Sequence, residues 1–519
     1  MTTDRSRTPN EHHDVLVIGA GLSGIGAAWH LQTLCPDRRY AILERRDAIG
    51  GTWDLFRYPG IRSDSDMYTM GYRFRPWRNP KAIADGPSIK AYIEETAREL
   101  DIDRMIRFRH RVVRAEWSSG DARWIVDAEV GPERTPARFS CSFLYTCTGY
   151  YSYDRGYMPE WPNVAAYRGR LVHPQHWPED LDHSGKRVVV IGSGATAVTL
   201  VPAMADGLRR AAHVTMLQRS PTYVARQPSR DAIANAMERV LPARAAYAIG
   251  RWKNVLRAMF YYKLARRRPA VFKRLLRKGV QLELGRDYDL DTHFKPAYEP
   301  WDQRLCIAPD GDLFRVIRDG RASVVTDTIE RFTEAGIRLR SGAHLDADIV
   351  IAATGLNLEL LSGITLVVDG QVVDLARTLA YKGMMYSDVP NVASAFGYTN
   401  ASWTLKADLV AEHVCRLLNH MRRHGYLQVT PRRNDPSVTE QPVLDFTSGY
   451  VQRALHSLPM QGSKAPWRLH QNYVKDLIAL RLGRVDDPAL EFRRADAASK
   501  RTTMPPQSAP TGAAVPSPS

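Results

Sequence analysis

Residues 14–24 read Asp14-Val-Leu-Val-Ile18-Gly19-Ala-Gly21-Leu-Ser23-Gly24, an unbroken apolar strand that runs into a glycine turn and a small-residue helix. Each glycine has a separate task. Gly19 permits the tight turn, Gly21 lets backbone amides approach a pyrophosphate, and Gly24 allows close packing of helix on strand. The helix N-terminus then offers unsatisfied N–H groups and the positive end of its dipole to phosphate. Tyr40-Ala-Ile-Leu-Glu44 is the next apolar strand. It ends in a carboxylate about twenty residues on, where it can accept from both hydroxyls of a ribose. A glycine turn alone is weak evidence; strand, turn, helix and terminal acid together predict a dinucleotide-binding unit.

The pattern recurs. Arg187-Val-Val-Val-Ile191 precedes Gly192-Ser193-Gly194-Ala195-Thr196-Ala197, and the partner strand, residues 213–219, ends at Arg219-Ser220. Alanine in the third turn position is an accepted variant. The chemistry at the strand end is reversed. A carboxylate there would repel a 2′-phosphate, whereas Arg219 can pair with it bidentately and Ser220 can donate to it. The first unit therefore suits FAD and the second NADPH, which implies electron flow from nicotinamide to flavin.

At 519 residues the chain is too long for a single core. The fold class expected is α/β: two Rossmann-like dinucleotide-binding domains with a helical insertion. The FAD domain is expected to be discontinuous, over residues 1–160 and 370–495, with the NADPH domain over 165–230 and 300–365. Apolar alternation resumes near 345–355 and 391–399. The Pro/Ser/Ala-rich segment 496–519 has the composition of a disordered tail.

Residues 230–298 interrupt the α/β pattern with a basic helical stretch. From Pro242 to Gly279 there are twelve lysines and arginines and no acid, interleaved with Tyr247, Trp252, Phe260, Tyr261, Tyr262 and Phe272. Most simply this is a solvated helical face whose arginine stems cover apolar surface. Peripheral contact with an anionic membrane is the next reading. Nucleic-acid binding comes last, since no such motif accompanies the charge.

The start of the chain is polar and lacks a secretory h-region. No apolar run reaches the roughly 18 residues of a spanning helix, and the expected compartment is the cytoplasm. The five cysteines, Cys35, Cys141, Cys147, Cys306 and Cys415, show neither CxxC nor zinc-ligand spacing. No metal site is expected, and a pyridine nucleotide–disulfide reductase lacks its redox pair.

Gly50-Gly-Thr52-Trp53-Asp54-Leu55-Phe-Arg-Tyr58-Pro-Gly60-Ile-Arg62-Ser-Asp64 resembles the long fingerprint of the Baeyer–Villiger monooxygenases, GGxWxxxxYPGxxxD. Tyr167-Arg-Gly169-Arg-Leu-Val-His173-Pro-Gln-His-Trp177-Pro178 resembles their short fingerprint, with Tyr for the leading Phe. Ala352-Ala-Thr354-Gly355 is similar to the ATG segment of the wider flavin-containing monooxygenase group. The resemblance runs from about residue 12 to 495 and is greatest to an actinobacterial branch.

It implies an FAD- and NADPH-dependent enzyme that uses O2 and a C4a-peroxyflavin to turn ketones into esters, with sulfides and thioamides as further substrates. An N- or S-hydroxylating flavin monooxygenase is the alternative, and a flavin-binding protein of a membrane surface is a non-enzymatic one. By this resemblance Arg304 is the active-site arginine that stabilises developing negative charge, and Asp64 the carboxylate that orients it. Gly19, Gly21, Ser23, Gly24, Glu44, Thr52, Trp53, Asp54, Leu55, Arg62, Asp64 and Val112 are expected to contact FAD. Gly192, Ser193, Gly194, Ala195, Thr196, Ala197, Arg219 and Ser220 are expected to contact NADPH. His173 and Trp177 are expected to be hinge and packing residues, and Trp403 and Thr404 to line the substrate side. Gln303 stands where many relatives carry a lysine, so selection of NADPH must lean harder on Arg219 and Ser220 and is expected to be weaker. The substrate's size and the oligomeric state are not legible.

Overall fold

A strand apolar on both faces needs neighbours on both edges and cover above and below. In the computed structural model, which describes residues 11–494, Glu11–Ile18 has them. It lies between Tyr40–Leu43 and Thr135–Thr146, parallel to both. These strands belong to a nine-stranded sheet that continues through Arg123–Val130 and His110–Ser118 to Thr365–Val368 and Gln371–Val372. Val392–Ser394 adds to it beside Thr135–Thr146. The expected tail at 496–519 lies outside the described residues.

The three long strands between 110 and 146 form an antiparallel meander that the sequence reading did not anticipate. In His110–Ser118 and Arg123–Val130 buried and part-exposed residues alternate, as a sheet with one wet face requires, whereas Thr135–Thr146 is buried over most of its second half. Trp117 and Trp124 stand directly opposite each other with ring centroids 5.7 Å apart, a cross-strand aromatic pair that fixes the register.

The second sheet has five parallel strands in the order Ala322–Thr326, His213–Gln218, Arg187–Ile191, Ile349–Ala352, Arg170–Val172. The helix Ala195–Ala205 packs on it through Ala197, Val198, Leu200, Val201 and Met204, all buried. Both dinucleotide units of the sequence are thus strand–turn–helix units in separate sheets, and the α/β class with two Rossmann-like domains holds.

Between the short paired strands Val224–Gln227 and Cys306–Pro309 the chain makes four helices, Ala232–Val240, Ala243–Arg267, Pro269–Leu284 and Leu290–His293. The long helix Trp403–His424 packs on the first helix, Leu22–Leu34. His30 bonds Asp408 across that contact at 2.8 Å.

Candidate active site

Two turns and one loop build the first half of the site. Gly19 has φ +103°, a conformation that penalises any Cβ. A Cβ at Gly24 would strike the Gly19 carbonyl oxygen. The helix Leu22–Leu34 begins at Gly21 with no side-chain cap, which leaves its first amides for a ligand. Glu44 is buried, and its carboxylate accepts the Ala20 N–H at 2.7 Å and the Arg46 N–H at 2.8 Å. Burial pushes this carboxyl up, against the pull of those two amides. Gly51, with φ +56°, brings the fingerprint loop against Gly21, where a Cβ would lie 3.1 Å from the Gly21 Cα. A glycine cradle, an uncapped helix start and a buried carboxylate at the strand end are the features a bound FAD requires.

These residues enclose a cleft of 330 Å³. Gly19, Gly21, Ser23, Glu44, Thr52, Trp53, Arg62, Asp64 and Val112 line it. Gly24 sits beneath the turn. Asp54 and Leu55 are buried behind the loop and do not line the cleft. Asp54 is ion-paired with Arg46, Arg57 and Lys90. Burial alone would raise its carboxyl, but the Arg46 hydrogen bonds and the other cations bring it below the usual range. Arg62 lines the cleft while ion-paired to Asp312.

The second turn opens on the same cleft. Gly192 has φ +132°, and a Cβ there would meet the Ala353 carbonyl oxygen. The helix Ala195–Ala205 starts at Gly194, again without a side-chain cap, and Ala195 and Thr196 reach the first cleft. Ala197 is buried under the helix. Ser193 Oγ donates to the Ser220 carbonyl at 3.1 Å. Arg219 and Ser220 are exposed at the strand end, and among the described residues no carboxylate pairs with Arg219.

Arg304 meets Asp64 where the cleft adjoins a second cavity. Its Nη1 donates to Asp64 Oδ2 at 3.1 Å, and each side chain is 37% exposed. Burial by itself would lower the Arg304 pKa, but the Tyr150 hydroxyl and the Asp64 carboxylate more than offset it and hold the guanidinium charged. Among the described residues its Nε has no hydrogen-bond partner. The second cavity, 690 Å³, lies between the insertion helices and the core, with Val255, Met259, Phe272, Leu276, Trp301 and Leu405 among its walls. Arg304, Asp64, Ser65, Ile307 and Ala401 line both spaces.

Sequence reasoning missed an aromatic wall. Tyr150, Tyr151 and Tyr153 line the cleft; Tyr150 stacks on Trp403 at 5.2 Å, and the Tyr151 hydroxyl donates to Thr52 Oγ1. The cluster Gly149-Tyr-Tyr-Ser-Tyr153 directly after a buried strand end was the available signal. Trp403, expected on the substrate side, lines the glycine-cradled cleft and donates its indole N–H to Ser23 Oγ at 2.8 Å. Thr404 lines neither space; it is buried and donates to the Met70 carbonyl. His173 stays away from both cavities, with Nε2 3.3 Å from the Gly355 carbonyl oxygen, and burial lowers its pKa.

Comparison with known proteins agrees with this geometry. Residues 17–78 match an NAD(P)-binding Rossmann-like domain and residues 78–361 the flavin-binding monooxygenase-like family. The FAD-containing monooxygenase EthA of Mycobacterium tuberculosis is 56% identical over 93% of this chain and 98% of its own. The probable FAD-binding monooxygenase AlmA of Acinetobacter baylyi is 49% identical over 95% and 99%. An oxidized steroid monooxygenase bound to NADP superposes with a TM-score of 0.73 at 21% identity, covering 93% of this chain and all of that one. OTEMO in complex with FAD and NADP gives 0.71 at 20%, over 94% and 100%. Likeness at that identity speaks to the fold, but the closer relatives and the span 78–361 speak to descent, and the chain belongs to the flavin-binding monooxygenase-like family.

Proposed function

We propose that the protein is an FAD- and NADPH-dependent Baeyer–Villiger monooxygenase. In the overall reaction NADPH, a proton, O2 and a ketone give NADP+, water and an ester, and sulfides and thioamides are also oxidised. The observation that carries this reading is the Arg304–Asp64 pair at the boundary between a glycine-cradled cleft and an apolar cavity.

Gly19, Gly21, Ser23 and Gly24 would hold the FAD pyrophosphate, with Glu44 on its ribose. Thr52, Trp53, Arg62, Asp64 and Val112 would flank the rest, and Asp54 and Leu55 would act from behind the loop. Gly192, Ser193, Gly194, Ala195, Thr196 and Ala197 would cradle the second pyrophosphate, and Arg219 with Ser220 would select the 2′-phosphate. When bound, FAD accepts hydride from NADPH and activates O2.

The protein's own contribution is electrostatic and steric. Arg304 stays cationic, so it stabilises the negative charge that grows on a ketone oxygen as its carbonyl carbon is attacked. An arginine suits this better than a lysine, because it gives up no proton near neutral pH. Asp64 fixes the guanidinium at that place, beside the apolar walls of the larger cavity. Turnover of linear, cyclic and aryl ketones, a sulfide and a thioamide tests the proposal, with NADPH consumption followed and products identified by mass. Esters carrying one atom of labelled oxygen from O2 are expected. Hydroxylamines or sulfoxides without any ester would assign the hydroxylating chemistry instead.

A further inference from the structure

The basic helices of the insertion carry a second pattern that their charge conceals. The helix Ala243–Arg267 buries Tyr247, Arg251, Asn254 and Val255 against the rest of the protein. Its outer side exposes Ile249, Trp252, Leu256 and Phe260. The spacing of three, four and four residues places these in one line along the helix. Trp252 is 42% and Phe260 61% exposed. The next helix, Pro269–Leu284, packs on the first and exposes Val271, Leu275 and Leu282. Exposed apolar residues are ordinary when scattered; ordered stripes on two adjoining helices mark a surface that meets something apolar.

The charge on the same helices says what. Of the twelve cations between Pro242 and Gly279, Arg251 is buried on backbone carbonyls and four others pair with carboxylates from neighbouring segments. Arg244, Lys263, Arg267, Arg268, Arg274 and Lys278 are exposed and make no ion pair among the described residues. A second copy of this chain seated on the stripe would set these cations against their own kind. An anionic lipid surface satisfies both halves of the pattern, with cations at the headgroups and the stripe at the acyl boundary.

The cavity beside Arg304 opens at this same surface. Tyr261 and Leu275 are 47% and 51% exposed and also line it. We propose that the helices Ala243–Arg267 and Pro269–Leu284 dock on an anionic bilayer, and that lipophilic substrate passes from the acyl layer between Tyr261 and Leu275 to Arg304. The docking stands on the surface alone; the passage of substrate rests on the function proposed above. The described helices are not long and apolar enough to cross a membrane, so the contact is peripheral.

The test uses the FAD-loaded full chain and extruded vesicles, one set of phosphatidylcholine alone and one of equal parts phosphatidylcholine and phosphatidylglycerol. Co-sedimentation with the anionic set only is expected. Acyl chains brominated near the headgroup should quench fluorescence, and the quenching should shrink in Trp252→Phe. The triple variant Arg267→Glu/Arg268→Glu/Lys278→Glu should bind on the order of 100-fold more weakly, with flavin content and flavin reduction by NADPH unchanged. Equal binding to both vesicle sets, or full quenching in Trp252→Phe, would overturn the docking. So would a dimer in solution that Trp252→Ser/Phe260→Ser converts to monomer without altering sedimentation. Sedimentation is read without turnover, so its failure leaves the oxygenase reading standing. Vesicle binding by a protein that oxygenates nothing would remove the passage of substrate and that reading, but not the docking.

Discussion

The indole N–H of Trp403 donates to Ser23 Oγ at 2.8 Å across 380 positions of sequence. The first turn of one helix is thereby tied to the first turn of another, at the glycine cradle. Trp403→Phe keeps a ring against Tyr150 and loses the donor. We expect about 1 kcal/mol of lost stability and earlier release of FAD on heating. Thermal unfolding followed by flavin fluorescence measures both; an unchanged release temperature would show that the link does not support the cradle.

Arg304→Ala should lower the rate of product formation by about 100- to 1000-fold, the usual loss when one preorganised donor is removed. Hydride transfer from NADPH should proceed normally, because Arg304 is assigned to the later charge. Stopped-flow bleaching of the flavin separates the two steps. Slow bleaching would mean that the arginine serves nicotinamide binding instead.

Arg219 is exposed at its strand end with no carboxylate opposing it among the described residues. Arg219→Ala should raise the KM for NADPH about 10- to 100-fold, as loss of a charge-assisted hydrogen bond does, and leave that for NADH alone. The ratio of kcat/KM for the two nucleotides is the measurement. A preference that survives would place 2′-phosphate recognition elsewhere.

His413 is wholly buried, with Nδ1 2.7 Å from the Leu480 carbonyl oxygen. Burial, reinforced by Lys382, pushes its pKa down to about 3. Below the ordinary value of 6.5 the unfolded chain takes up a proton that the folded chain refuses. Stability should therefore fall as pH drops from 6.5 towards 3, by up to about 1.4 kcal/mol per pH unit. His413→Asn should unfold in urea with a shallower pH dependence over that window. Parallel profiles for the two proteins would refute the assignment.

The strands that carry both glycine turns were legible because burial on two faces leaves an unbroken apolar run, and the turns because Gly19 and Gly192 adopt angles few other residues tolerate. The antiparallel meander escaped because its pattern is only half-buried and its register is set by pairs such as Trp117 and Trp124, which meet in space. Glu44 could be read from its place at a strand end. The pairing of Asp64 with Arg304 could not be read from spacing, since 240 residues separate them; the family resemblance alone suggested it. Asp54 sits within the fingerprint, and its ion pairs with Arg46, Arg57 and Lys90 behind the loop could not be read from the motif. Tyr150 carried no motif, and its place beside Trp403 is a product of packing.

The helical insertion departs from Val224–Gln227 and returns at Cys306–Pro309, two strands that lie side by side. Its length is therefore free: helices can be added, lost or reshaped between those anchors while Arg304, two residues before the return, keeps its position. Descendants of such a chain can change what they admit without relearning how to handle oxygen.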